Sequence, residues 1–385
     1  MNKNNIFICV TLLFVLFCSF TPQKISLKKE KELSINVGFT SRFEGTYYDK
    51  TLNKDLFYYS DVVTYDCVKI FDDDFRLIRA IKLDNIPYLD MARDLEVISN
   101  DSILITVGNP VQLIYVVNFE GKIINRIFTR KLQGIDTNNY TMDVALFYKK
   151  IYANSKVYLK HRPYRDVNKY YLDYGYASKI DSILMVSPYI ASINLDTNST
   201  KINKLFYSIY KENYDYGDVI DDMANYCIAN NKLFLPILHN GKIYVIDLFT
   251  DNIEKVFTLS SKYTNIGFVN KKKTRSNYIE VSDQILETQL YYSGGFSNII
   301  WDKYRKLYYI IITHETKERL KSKTFSVQVC DEKFNKIGEY KFDFKKYDIY
   351  NLQVCKDGLL IKTNQQDKEY DKKICKYNLF SIVNY

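Results

Sequence analysis

Glycine and proline are scarce in this chain, 13 and 6 of 385 residues, which excludes a collagen-like repeat and a Gly/Pro-rich low-complexity segment. There is one Trp, and the three His do not form an H-E-x-x-H pair. No G-x-S-x-G, no phosphate-cradling glycine loop and no C-x-x-C occurs either. Beyond residue 20 the cysteines are Cys67, Cys227, Cys330, Cys355 and Cys375. An odd, widely spaced set does not make a disulfide framework; inside apolar strand patterns such residues read as small buried hydrophobes. Charge of one sign is also lacking. The formal +9 arises from 54 basic and 45 acidic residues spread along the chain. The one basic run, Lys271-Lys272-Lys273-Thr274-Arg275, reads as a solvated loop, and without a basic stripe or a matching motif nucleic acid is not an expected partner.

What is abundant is Tyr (36) and Phe (23), residues that suit a pleated, half-buried surface. AT-rich coding also over-produces Tyr, so the count alone marks no aromatic site. Behind Lys3, the run Ile6–Phe20 is uncharged and mostly apolar. It is short of the ~20 residues of a transmembrane helix and matches the apolar core of an export signal. Residues 1–20 therefore read as a signal peptide and the protein as exported, to the periplasm or outer membrane. Val15-Leu16-Phe17-Cys18 resembles a lipoprotein box in which Cys18 takes lipid, although Phe17 stands where a small residue belongs. Ordinary cleavage near Ser19-Phe20-Thr21 is the competing reading. If lipid is attached, it would be the protein's link to a membrane.

The rest of the chain repeats one unit: a strand, an Asp or Asn opening a tight turn, and a second strand. The turn markers are Asp72, Asn118, Asn194, Asp247, Asp331 and Asn378, separated by 46, 76, 53, 84 and 47 residues. Asx side chains fit there because they hydrogen-bond the backbone two residues on. A second strand-turn-strand signal precedes each hairpin, as across Asn100-Asp101, Asn230-Asn231 and Lys356-Asp357-Gly358. Four strands per ~46 residues and six markers predict an all-β chain, a six-bladed β-propeller of four-stranded antiparallel blades. The strand-like run Leu33–Phe39 is expected to pair into the last blade, closing the ring through both termini. The domain expectation is a signal over 1–20, a linker over 21–32 and one propeller over 33–385.

On this phasing the tight turns share one end of the propeller, while the long connections 160–187, 208–224, 260–296 and 313–323 crowd the other. Loops on a rigid scaffold concentrate binding residues. The candidates there are His161, Arg162, Tyr164 and Arg165 in one connection, Asp215, Asp218 and Asp222 in the next, and His239 and His314 beyond. The bland reading of these charges is a pair of solvated loops. The three His fall near equivalent points of successive blades, too far apart for one metal ion with bonds of ~2.0–2.1 Å, so neither a metal nor a cofactor is expected.

The segment Gly294–Ile312, with Trp301-Asp302-Lys303-Tyr304-Arg305-Lys306-Leu307-Tyr308-Tyr309 at its centre, resembles a strand pair of an uncharacterised six-bladed propeller family of Bacteroidota. Members of that family are often lipoproteins and carry a domain of unknown function. The resemblance extends over the mature chain and implies fold and compartment, not activity. Two functional classes follow. One is an exported cell-envelope binding or scaffolding propeller that recognises a protein, peptide or glycan with its loop-rich face. The other is a propeller hydrolase or lyase acting on a polysaccharide or lactone, which would need carboxylates and a His converging at the channel mouth.

Overall fold

The computed structural model describes residues 25–38, 43–108, 113–128, 140–142, 151–153, 155–163, 190–203, 226–236, 241–250, 252–266, 294–316, 324–364 and 373–384. The chain opens with β1 (Ile25–Asn36). It then forms a first sheet from β2 (Phe43–Asp49), β3 (Lys54–Asp61), β4 (Cys67–Phe71) and β5 (Leu77–Lys82). A second follows from β6 (Ala92–Ser99), β7 (Ser102–Val107), β8 (Leu113–Val117) and β9 (Ile123–Phe128). Next come β10 (Tyr140–Met142), β11 (Ile151–Ala153), β12 (Lys156–Pro163), β13 (Ile190–Asn194) and β14 (Thr200–Asn203). Two further regular sheets are β15 (Cys227–Ala229), β16 (Lys232–Pro236), β17 (Lys242–Asp247), β18 (Ile253–Thr258), and β19 (Gly295–Asp302), β20 (Leu307–Thr313), β21 (Thr324–Cys330), β22 (Lys336–Asp343). The C-terminal sheet takes β23 (Tyr347–Cys355), β24 (Gly358–Thr363) and β25 (Ile374–Asn384), with β1 as its fourth strand.

These small antiparallel sheets are arranged as a β-propeller. Five are four-stranded blades, one fewer than the six expected. The strands between the second and fourth make a sheet of another kind, in which β10 and β11 both pair with β12 and the first-strand position is split between them.

The sheets pack face to face, which explains why their middle strands read as unbroken apolar runs. In β20, Tyr308, Ile310 and Ile312 lie against Phe234, Ile243 and Val245 of the preceding sheet, whereas Tyr309 and Ile311 lie against Leu352, Leu359 and Ile361 of the C-terminal one. Leu56, Tyr58 and Ile70 likewise meet Leu95, Ile103 and Ile105, and Leu104, Ile114 and Val116 meet Val157 and Ile193. The first sheet packs its other face on the last: Phe57, Tyr59 and Phe71 against Leu360, Tyr377 and Leu379, with Ile35 and Val37 of the N-terminal segment. The first strands touch one another along the axis, β2 with β6 and β23, β19 with β15 and β23, β11 with β15.

The Asx turns form as the spacing predicts at five of the six markers. Asp72 Oδ1 accepts the N–H groups of Asp74 and Arg76, and Asn118 and Asp331 repeat this at the same offsets. Asn194 and Asp247 accept from the second and third residues after them. The fourth residue of three of these turns has a positive φ: Phe75 (59°), Gly121 (77°) and Phe334 (62°). An aromatic residue there is strained, and the Phe334 ring offsets the strain by stacking on Phe257 (4.3 Å) and Tyr308 (4.4 Å).

Asn378 is the exception. It sits inside β25, buried, opposite Ile361 and Glu32, and opens no turn. No hairpin is needed there, because β1 supplies the next strand. That strand starts at Ile25, within the expected linker, and not at Leu33. Its outer position explains the miss, since Lys28–Glu32 are exposed and carry no apolar alternation.

Candidate functional site

In each regular sheet the first strand ends where an Asx or Asn-type tight turn lies, and so does the third except in the C-terminal sheet, where β25 is followed by no turn. The second and fourth strands end at the opposite side. The connections after Pro163, Asn203, Thr258 and Thr313 therefore all leave from one end of their sheets. His314 is the one candidate with a described side chain. His161 and Arg162 fall at the end of β12, opposite Met142 and Thr141. Tyr164, Arg165, Asp215, Asp218, Asp222, His239 and Cys18 lie outside the described residues, as do most of the connections themselves.

His314 follows β20 and is buried, 3% exposed. Its Nδ1 is 2.8 Å from Thr324 Oγ1 at the start of β21, and its ring lies 5.5 Å from that of Tyr263. Nε2 has no hydrogen-bond partner. Burial, reinforced by Lys341 and opposed by Glu339, lowers its pKa from 6.5 to about 4. The ring is thus neutral at pH 7. Beneath it, Glu339 accepts hydrogen bonds from Lys336 Nζ (2.5 Å), Ser261 Oγ (2.5 Å), Lys262 N (3.0 Å) and Ser326 Oγ (2.8 Å). Burial raises this carboxyl, and the four donors outweigh it and hold it below the ordinary value.

A folded-state pKa below the unfolded one means that the unfolded chain takes the proton first, so stability falls as pH drops from 6.5 towards 4. The protein is expected to be about 2 kcal/mol less stable at pH 5 than at pH 7.5 from this residue. Urea midpoints at the two pH values check it. The His314→Asn variant should lose most of the slope, and an unchanged slope would contradict the assignment.

The same end holds a buried charge pair that sequence reading missed. Glu44, second residue of β2, and Lys362, next to last in β24, meet at 2.7 Å with both side chains 3% exposed. Burial disfavours a charged Lys362, but the Glu44 carboxylate outweighs it and raises its pKa; Asp348 adds to this. Around the pair stand Tyr59 beside Glu44 on β3, and Tyr377 and Cys375 beside Lys362 on β25. Burial pushes both phenols well above their ordinary value and Cys375 up to about 12. Gln353 Nε2 donates to Tyr377 Oη at 3.4 Å, leaving Gln353 Oε1 and Glu44 Oε1 without partners. The available signal was a lone Lys within GLLIKT. No group of three or more His, Cys, Asp and Glu among the described residues is placed to hold a metal ion.

The opposite end is tied by the turn after β19. Asp302, fully buried, accepts from Tyr304 N, Arg305 N, Arg305 Nη1 (2.9 Å) and Tyr309 Oη (2.9 Å). Arg305 also donates to the carbonyls of Cys355 and Lys356 in the C-terminal sheet. Lys303 and Tyr304 reach past that sheet to Asp55 of the first, with Lys303 Nζ 2.6 Å from Asp55 Oδ1 and 4.2 Å from the Tyr48 ring centroid.

Fold and site together define an all-β propeller whose short-turn end is cross-tied and whose long connections depart from strand ends at the other. The chain belongs to the family described as Domain of unknown function (DUF4221), which matches residues 91–341. It is similar in structure to a member of that family from Bacteroides vulgatus, at 21% identity and TM-score 0.74, covering 95% of this chain and 100% of that one. A Bacteroides fragilis protein whose name describes it as exported is similar at 11% identity and TM-score 0.50, covering 95% and 96%. Likeness at these identities establishes the fold alone. A search of curated proteins returns no match.

Proposed function

We propose that this chain is an exported cell-envelope propeller that binds a protein, peptide or glycan at the end where its long connections gather. In this reading the ring has six blades, the sheet of β10–β14 being the irregular one, and β1 on β25 closes it. Lipid on Cys18 holds the protein at the periplasmic or outer membrane surface. The observation that carries the reading is the asymmetry of the two ends. Short Asx turns and the Asp302–Arg305 and Lys303–Asp55 contacts occupy one, and every long connection leaves from the other. A rigid scaffold tolerates such insertions cheaply, because strand ends already fix where each loop begins and finishes. The hydrolase or lyase alternative draws little support from His314, whose ring is buried against Tyr263 and Thr324.

Glycan and peptide arrays probed with the purified mature chain test the proposal. Replacing Arg162, Tyr164 or Asp218 by Ala is expected to abolish capture of the array ligand while changing stability by no more than about 0.5 kcal/mol. Undiminished capture by all three variants would contradict a site at this end.

A further inference from the structure

The direction of β1 fixes which end of the propeller a tethered N-terminus would reach. Strand β1 is antiparallel to β25, from Ile25 opposite Asn384 to Asn36 opposite Ile374. The third strand of every sheet runs towards the Asx-turn end, and β25 holds that third place in the C-terminal sheet. Ile25 therefore enters at the turn end. From Ile25 to Asn36 the strand climbs ~36 Å towards the long connections, at ~3.3 Å per residue. Cys18 precedes Ile25 by seven residues, so a chain fixed at Cys18 is held within ~25 Å even when fully extended. That tether is shorter than the strand.

We infer, resting on the lipid attachment proposed above, that the Asx-turn end lies against a phospholipid surface and the long-connection end points away from it. The turn chemistry agrees with this placement. The turns after the first strands carry exposed Lys50, Lys306 and Lys356, with Lys303 paired to Asp55 and exposed Asp101 and Asp357 among them. Tyr48 (43% exposed), Tyr304 (39%) and Leu52 (50%) stand among them, an interfacial mixture of aromatic, apolar and basic side chains. The turns between third and fourth strands are acidic at Asp72–Asp74, Glu120, Asp196, Asp247, Asp331 and Glu332. The C-terminal sheet has no such turn, because β1 and β25 are not consecutive, so the tether enters where this acidic fringe is interrupted.

The test takes the full-length protein from its native membrane and first measures lipid on Cys18 by mass spectrometry. Lipidated protein carrying Lys50→Cys, Lys356→Cys, Thr64→Cys or Asn85→Cys is then added to preformed phosphatidylethanolamine/phosphatidylglycerol vesicles and treated with a maleimide-polyethylene glycol. Thr64 and Asn85 are exposed at the long-connection end. Labelling at positions 50 and 356 should slow at least tenfold relative to detergent solution, with positions 64 and 85 unchanged. Equal labelling of both ends on vesicles, or protection at 64 and 85, overturns the orientation while leaving the anchor intact. A native N-terminus without lipid overturns the anchor and the orientation with it.

Discussion

Replacing Lys362 by Met should destabilise the protein by about 3–5 kcal/mol, because it strands the Glu44 carboxylate among Tyr59, Tyr377 and Leu360 with no compensating charge. A buried pair contributes little net energy against an apolar replacement, since desolvating two ions consumes most of their attraction. The double variant Glu44→Gln/Lys362→Met should therefore recover most of the loss, and a double-mutant cycle from urea denaturation reads this directly. A double variant as unstable as Lys362→Met alone would show that the damage comes from packing and not from charge. The pair sits between the first and last sheets, so the effect measures how tightly the two ends of the chain are held together.

Removing β1 should have a larger effect still. The strand pairs with β25 over eleven residue pairs and, with the residue after it, buries Ile35 and Val37 against Tyr377 and Leu379. Its loss exposes the β25 edge and opens the packing between terminal sheets, at a cost comparable to the ~5–15 kcal/mol that stabilises a whole domain. A chain beginning after Asn36 is expected to show no cooperative melting under conditions where the mature protein melts sharply. A synthetic peptide spanning Ile25–Val37, added in trans, should restore the transition by occupying the vacant edge. Unaltered melting of the shortened chain would mean that β1 is an ornament on an already closed structure.

Much of the fold is legible in the residues because its two signals are local. Asx turns declare themselves through Asp72, Asn118, Asn194, Asp247 and Asp331, whose side chains bind backbone within four residues. Middle strands such as Leu307–Thr313 declare themselves through apolar residues at consecutive positions, as burial on both faces requires. The misses depend on partners distant in sequence. Strand β1 is polar because it is outermost, and only its pairing with residues some 350 positions away makes it a strand. Asn378 looks like a turn marker until that partner is in place. Glu44 and Lys362 are unremarkable as single residues, and their union across the terminal sheets is invisible to any local pattern. Of the candidate site, His314 is seen as a buried neutral ring beside Thr324, His161 and Arg162 fall at the end of β12, and the remaining residues lie outside the described structure.

Hydrogen–deuterium exchange with and without the ligand captured on glycan or peptide arrays tests the central claim most directly. The account predicts slowed exchange in the segments flanking the long connections, at Asp61–Cys67, Lys82–Ala92, Thr258–Ile266 and Thr313–Thr324, with exchange at the Asx turns of Asp72, Asn118, Asp247 and Asp331 unchanged. Protection confined to those turns, with the long-connection end exchanging as in the free protein, would contradict it.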